Sequence, residues 1–174
     1  SLAIRTDRTL WSWGKNDVGQ LGLVDTTSRS SPVQIGLLSW ALVSAGHSHN
    51  VGIRNDNLLF TWGLNSSGQL GYDPTSIPQT NNLIALPDTI NYGNNFSPNF
   101  IGTPIKPIDI VATAYNSYII SSRDNSSNII CVCGDNTYRQ MGIGDVSSNT
   151  GFYAMNTFTD NSGTSITGNP VMVD

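Results

Sequence analysis

Two histidines, His47 and His49, stand two residues apart. On an extended strand that spacing puts both imidazoles on one face, where they could begin a metal site. Zinc needs further ligands, and no third one has a known position. The reading kept is that both are polar residues satisfying backbone groups, so no metal and no other cofactor is assigned. Asp17, Asp25, Asp56, Asp73, Asp135 and Asp145 could do acid–base work. Most of them fall in turn-like stretches, where Asp serves the backbone, and no pair has a spacing that fixes two carboxyls across a substrate. The glycine-rich run from Gly14 to Gly22 is no phosphate loop, since no Gly-Lys-Ser/Thr follows and no helix opens there. No nucleophile elbow is present. No catalytic residue is assigned, and the chain is read as non-enzymatic.

Cys131 and Cys133 are the only cysteines. At i and i+2 on an extended strand a disulfide between them would be strained, so they are read as two apolar residues. Asn65-Ser66-Ser67 and Asn125-Ser126-Ser127 match glycosylation acceptors, a match that an Asn/Ser-rich chain produces by chance.

The rest of the composition favours strands and turns. Of 174 residues only 11% are charged, the net charge is −4, and the eight basic residues form no run. Nucleic acid and anionic membrane are therefore not expected as partners. Glutamate is absent and lysine occurs only as Lys15 and Lys106, which removes two of the best charged helix formers. No apolar run is long enough to span a bilayer, and membrane insertion is not expected.

One phrase organises the chain. Trp13-Gly14-Lys15-Asn16-Asp17-Val18-Gly19-Gln20-Leu21-Gly22 recurs as Trp62-Gly63-Leu64-Asn65-Ser66-Ser67-Gly68-Gln69-Leu70-Gly71. A worn third copy runs Cys133-Gly134-Asp135-Asn136-Thr137-Tyr138-Arg139-Gln140-Met141-Gly142. A period near fifty residues marks a propeller or solenoid. The Trp at the strand end, Trp13 or Trp62 in the first two copies, offers a large apolar contact to the neighbouring unit. Asn16 and Asn65 suit a turn, and the Gln amide can satisfy buried backbone groups. Leu21, Leu70 and Met141 fill the core. Gly19 and Gly68 are expected at positive φ, which Arg139 in the third copy would find strained.

The phrases define three units: 1–49, 50–117 with an insertion at 72–103, and 118–174, degenerate, with an insertion at 143–169. Each opens with two apolar runs around a short polar turn, the hairpin signal: Leu2-Ala3-Ile4 with Leu10-Trp11-Ser12-Trp13, Val51-Gly52-Ile53 with Leu59-Phe60-Thr61-Trp62, and Tyr118-Ile119-Ile120 with Ile130-Cys131-Val132-Cys133. Pro32, Pro104 and Pro170 are read as equivalent downstream markers. Ser1 falls in mid-strand by alignment with Asn50, so the chain is expected to be a segment of a longer polypeptide.

The phrase, the Ala45-Gly46-His47-Ser48-His49 segment and the Gly142-Ile143-Gly144-Asp145 continuation closely resemble the repeat of the regulator of chromosome condensation family. The resemblance covers most of residues 1–71 and 104–145. It implies an all-β fold built of β-propeller blades, a partial ring of about two and a half to three four-stranded blades out of a presumed seven. The missing blades are expected in the same polypeptide, the alternative being other subunits that cover the ends.

Repeat arrays mostly bind. The expected function is a scaffold or protein-binding module, as a structural component of a phage virion (tail or capsid-associated) or as a surface adhesin, located in a virion or at a cell surface. Other protein subunits or a surface receptor are the expected partners. Tyr92, Phe96, Phe100, Phe152, Tyr153 and Phe158, carried by the insertions, are the candidate anchors. The alternatives are guanine-nucleotide exchange on a small GTPase, as in the family's founding nuclear member, and inhibition of a secreted enzyme such as a β-lactamase.

Overall fold

The computed structural model describes residues 1–75, 79–85, 106–124, 127–142, 152–155, 158–159 and 165–166. Among them there are strands and turns and no helix. The strands are β1 Leu2–Ile4, β2 Leu10–Gly14, β3 Arg29–Gln34, β4 Trp40–Ala45, β5 His49–Arg54, β6 Leu59–Leu64, β7 Gln79–Ala85, β8 Lys106–Ala112, β9 Asn116–Asp124, β10 Ser127–Gly134 and β11 Tyr153–Met155, with a small hairpin of β12 Phe158–Thr159 and β13 Ser165–Ile166.

These strands form antiparallel meanders in the order β1-β2-β3, β4-β5-β6-β7 and β11-β10-β9-β8. The first described sheet has three strands and the next two have four. Each expected hairpin is present: β1 with β2, β5 with β6, and β9 with β10. The first strands lie where consecutive sheets converge, for β4 packs against both β1 and β8. There the Ser44 hydroxyl accepts from the Ala112 N–H at 2.9 Å and satisfies an edge donor of the next sheet.

Sheet boundaries are offset by one strand from the sequence units. β4 and β8 close the first and second units in sequence, yet each opens the following sheet. The proline markers are not equivalent either. The counterpart of β3, which holds Pro32, is β7 at 79–85, inside the stretch read as an insertion. In the third sheet the counterpart is β11, again inside a presumed insertion. Each stretch read as an insertion therefore contains the outer strand of a blade. The sequence signal was misleading because β3 is largely exposed and β7 opens on the polar run Gln79-Thr80-Asn81-Asn82, so neither carries a strong apolar pattern.

The two cores are the spaces between sheets. Leu10, Ile35, Trp40, Phe60 and Trp62 join the first sheet to the second. Val51, Ile53, Leu59, Ile110, Ile119, Ile129, Cys131, Cys133 and Phe152 join the second to the third. Strand alternation explains the division: Phe60 and Trp62 point one way while Leu59, between the same strands, points the other. The middle sheet is covered on both faces, so β5 and β6 are buried almost throughout.

Replacements between copies compensate one another. In the second sheet Trp40 lies over Gly52, where an added Cβ would come within 2.6 Å of the indole. The pairing registers make Pro107 and Ile119 their counterparts. A large residue on the first strand with none on the second has become a small ring opposite a branched side chain. Gly52→Ala is expected to destabilise by about 1–3 kcal/mol through overpacking. The same change should cost less than half as much in a Trp40→Leu background, measured by urea unfolding.

Candidate functional site

Each phrase forms a loop that ties its own backbone together. The Asn side chain at its centre is buried in all three copies. Its Oδ1 accepts from the N–H five residues on, from Leu21 at 2.9 Å, Leu70 at 2.8 Å and Met141 at 3.1 Å. The Nδ2 of Asn16 donates to the carbonyls of Asp25 and Thr27, and that of Asn65 to the carbonyl of Tyr72. The Gln side chain closes a smaller ring, its Oε1 accepting from Val18, Ser67 or Tyr138 N–H at 2.8–3.0 Å. Asn65 is thus a buried structural residue, which removes it from the glycosylation acceptors of the folded protein; Asn125 lies outside the described residues.

The backbone carbonyl of that Gln is where neighbouring sheets meet. Gln20 O accepts from Asn50 Nδ2 at 2.7 Å and from Trp62 Nε1 at 3.2 Å. One repeat on, Gln69 O accepts from Ser117 Oγ at 2.7 Å and from Cys133 Sγ at 3.3 Å. Burial pushes the Cys133 thiol pKa far up, so it stays protonated and can donate. Neither cysteine is in a disulfide and both are buried, as the sequence indicated.

His49 sits in the same seam. Its Nε2 lies 3.0 Å from Ser117 Oγ. Because that hydroxyl gives its proton to Gln69 O, it must accept from His49, which fixes the Nε2–H tautomer. Burial is the chief cause that lowers the His49 pKa to about 4, opposed by the Asn116 backbone. His49 is therefore a neutral hydrogen-bonding link between sheets. His47 is exposed and stacks loosely on Tyr115 at 6.2 Å. No group of three metal-ligating side chains occurs among the described residues.

The described carboxylates serve turns. Asp7, Asp73 and Asp135 each accept from a Thr two residues on, while Asp25 and Asp56 also meet Arg29 and Arg54. Hydrogen bonds hold their pKa values low. Asp17 is likewise lowered, chiefly by Lys15. Asp145 lies outside the described residues.

Of the six aromatic anchors, Tyr92, Phe96 and Phe100 lie outside the described residues, and Phe158 falls on β12. Phe152 must be corrected. It is 1% exposed, belongs to the core between the second and third sheets, and its ring occupies the space beside Gly71. It fills volume vacated where Cys133 replaces the Trp of the other copies. Tyr153 is half-buried against the same core. The exposed aromatics of the described surface are instead Tyr115 at 48% and Tyr138 at 87%.

Both lie at one end of the sheets. The turns joining first to second strands and the phrase loops share that end, tied by Leu64 N–H to Ser48 O at 2.8 Å and by Asp135 N–H to Tyr115 O at 3.1 Å. An open cleft of about 240 Å³ also lies there, lined by Lys15, Gln20, His47 and His49 among others.

A family model described as the regulator of chromosome condensation (RCC1) repeat matches residues 7–53, and a second of the same description matches 40–69. Residues 7–69 carry RCC1 repeats. The fold of the chain is that of an RCC1-type β-propeller. Human WBSCR16 superimposes with a TM-score of 0.70 at 19% identity over 92% of this chain and 38% of that one. Yeast RCC1 (Prp20), in its complex with Kap60, gives 0.60 at 22% identity over 94% and 33%. Prp20p from Saccharomyces cerevisiae, solved in work on its binding to Gsp1p and histones, gives 0.64 at 18% identity over 92% and 36%. The chain therefore spans about a third of each of these solved structures, 33–38%. No curated protein matches the sequence.

The RCC1 repeat's seam histidine makes stability pH-dependent. The unfolded chain binds the proton near pH 6.5 and the folded chain at about 4. The His49 contribution is complete above pH 6.5 and is lost as pH falls toward 4, by roughly 3 kcal/mol in all. His49→Asn, which installs the residue of the third sheet, should flatten the wild-type dependence over that window in denaturant titrations.

Proposed function

We propose that this RCC1-repeat propeller segment is a non-enzymatic protein-binding scaffold, carried by a virion or displayed at a cell surface as an adhesin. One observation supports the reading above the rest. The Asn and Gln side chains that recur in every phrase are engaged in internal bonds, whereas Tyr138, Arg139, Tyr115 and His47 stand exposed at the end of the sheets where the phrase loops lie. That set suits recognition of a protein surface. The low charge and the Asn/Ser/Thr-rich composition support the particle or surface context. Other subunits or a surface receptor are the partners, and no cofactor is assigned.

The structural likeness to Prp20 favours a second reading, guanine-nucleotide exchange on a small GTPase. Release of labelled GDP from a panel of small GTPases separates the two. The scaffold reading expects release at the intrinsic rate with the protein in excess, and a tenfold acceleration would establish the exchange factor. Immunogold labelling of intact particles and cells from the source should decorate their exterior; label confined to the cell interior would contradict the location.

A further inference from the structure

We propose that Tyr138 and Arg139, at the tip of the third phrase loop, together with Tyr115 and His47 on the adjoining turns, form a docking patch for a protein segment that presents a carboxylate beside an apolar side chain. This rests on the protein-binding reading above and assigns it a place.

The three phrases act as internal controls. The third copy keeps the Asn and Gln bonds of the loop: Asn136 Oδ1 accepts from Met141 N–H, Gln140 Oε1 accepts from Tyr138 N–H, and Met141 is buried. Its outward positions differ. Tyr138 stands where the other copies have Val18 and Ser67, and Tyr115 stands where the second sheet has Ser48. Arg139 stands where they have Gly19 and Gly68, and it keeps their left-handed backbone, φ 61° against 77° and 77°. An arginine held in that region is strained. The loop's internal hydrogen bonds would form as well with glycine, so nothing inside the loop calls for the side chain.

The chemistry of the patch defines its partner. The Arg139 guanidinium makes no ion pair among the described residues. The nearest acid in sequence, Asp135, is occupied by Thr137 and Gln140. Arg139 thus brings five donors to the end of the sheets that also carries the exposed rings of Tyr115 and Tyr138, and His47 lies 6.2 Å from the Tyr115 ring. A carboxylate meets the guanidinium fork in bidentate fashion, while the rings bury an adjacent apolar or aromatic side chain.

The test is selection of a displayed library of linear peptides on the full protein, followed by affinity measurement of the selected peptides on two variants. Tyr138→Ser with Arg139→Gly rewrites the tip as the second copy has it and relieves the strained φ. Arg8→Asn alters a turn at the opposite end, where Asn57 has nearly the same conformation, φ 67° against 70°. The expected peptides carry Asp or Glu next to an apolar residue. They should lose roughly tenfold or more in affinity on the tip variant and none on Arg8→Asn. The tip variant should melt no lower than wild type, which excludes unfolding as the cause. Peptides that lack an acid, or that bind the tip variant undiminished, would overturn the patch while leaving a protein-binding module intact. Selection of no peptide at all would count against both.

Discussion

At both described seams the backbone carbonyl of the phrase glutamine links one sheet to the next. Gln20 O receives two donors from the second sheet, and Gln69 O receives two from the third. The geometry is kept although the donors change from an amide and an indole to a hydroxyl and a thiol. Asn16 and Asn65 fix the loop from inside, which holds the carbonyl in place for those donors. A buried carbonyl without partners would cost on the order of 1–3 kcal/mol, so the seam selects for donors at two positions of every repeat. Apolar packing between sheets then supplies the larger, non-directional part of the stability.

Substitutions across the repeats make sense only as sets. Trp62 gives way to Cys133, and Phe152 comes in from the outer strand's side to fill the space. Trp40 over Gly52 gives way to Pro107 beside Ile119. Interiors are close-packed, so a lost indole must be replaced by volume from elsewhere. The worn third phrase is therefore intact as a structural unit, and its departures concentrate on the outward side of the loop.

Much of this was legible in the chain. The repeated decapeptide revealed the period, the hairpins and the all-β class, because loop chemistry of that kind depends on local residues. The positive φ shared by Gly19, Gly68 and Arg139 was legible for the same reason. The one-strand offset between sequence unit and sheet was not, since local sequence does not say which neighbour β4 pairs with. Outer strands were hidden because an edge position tolerates polar residues such as those of Gln79–Ala85. Phe152 was misread as exposed because its burial depends on space left by Cys133, nineteen positions earlier on β10. Tyr138 and Arg139 were visible as departures from the repeat, but they looked like decay until the loop around them proved to be complete.

The account stands on adjacent sheets sharing side-chain cores. A double-mutant cycle tests this most directly. Leu10→Ala and Trp62→Ala remove residues of the first and second sheets that share one core, whereas Leu10→Ala and Cys131→Ala touch separate cores. Unfolding free energies should give a coupling of about 1–3 kcal/mol for the first pair and less than about 0.5 kcal/mol for the second. Equal coupling in the two pairs, or none in either, would contradict the stacked-sheet arrangement.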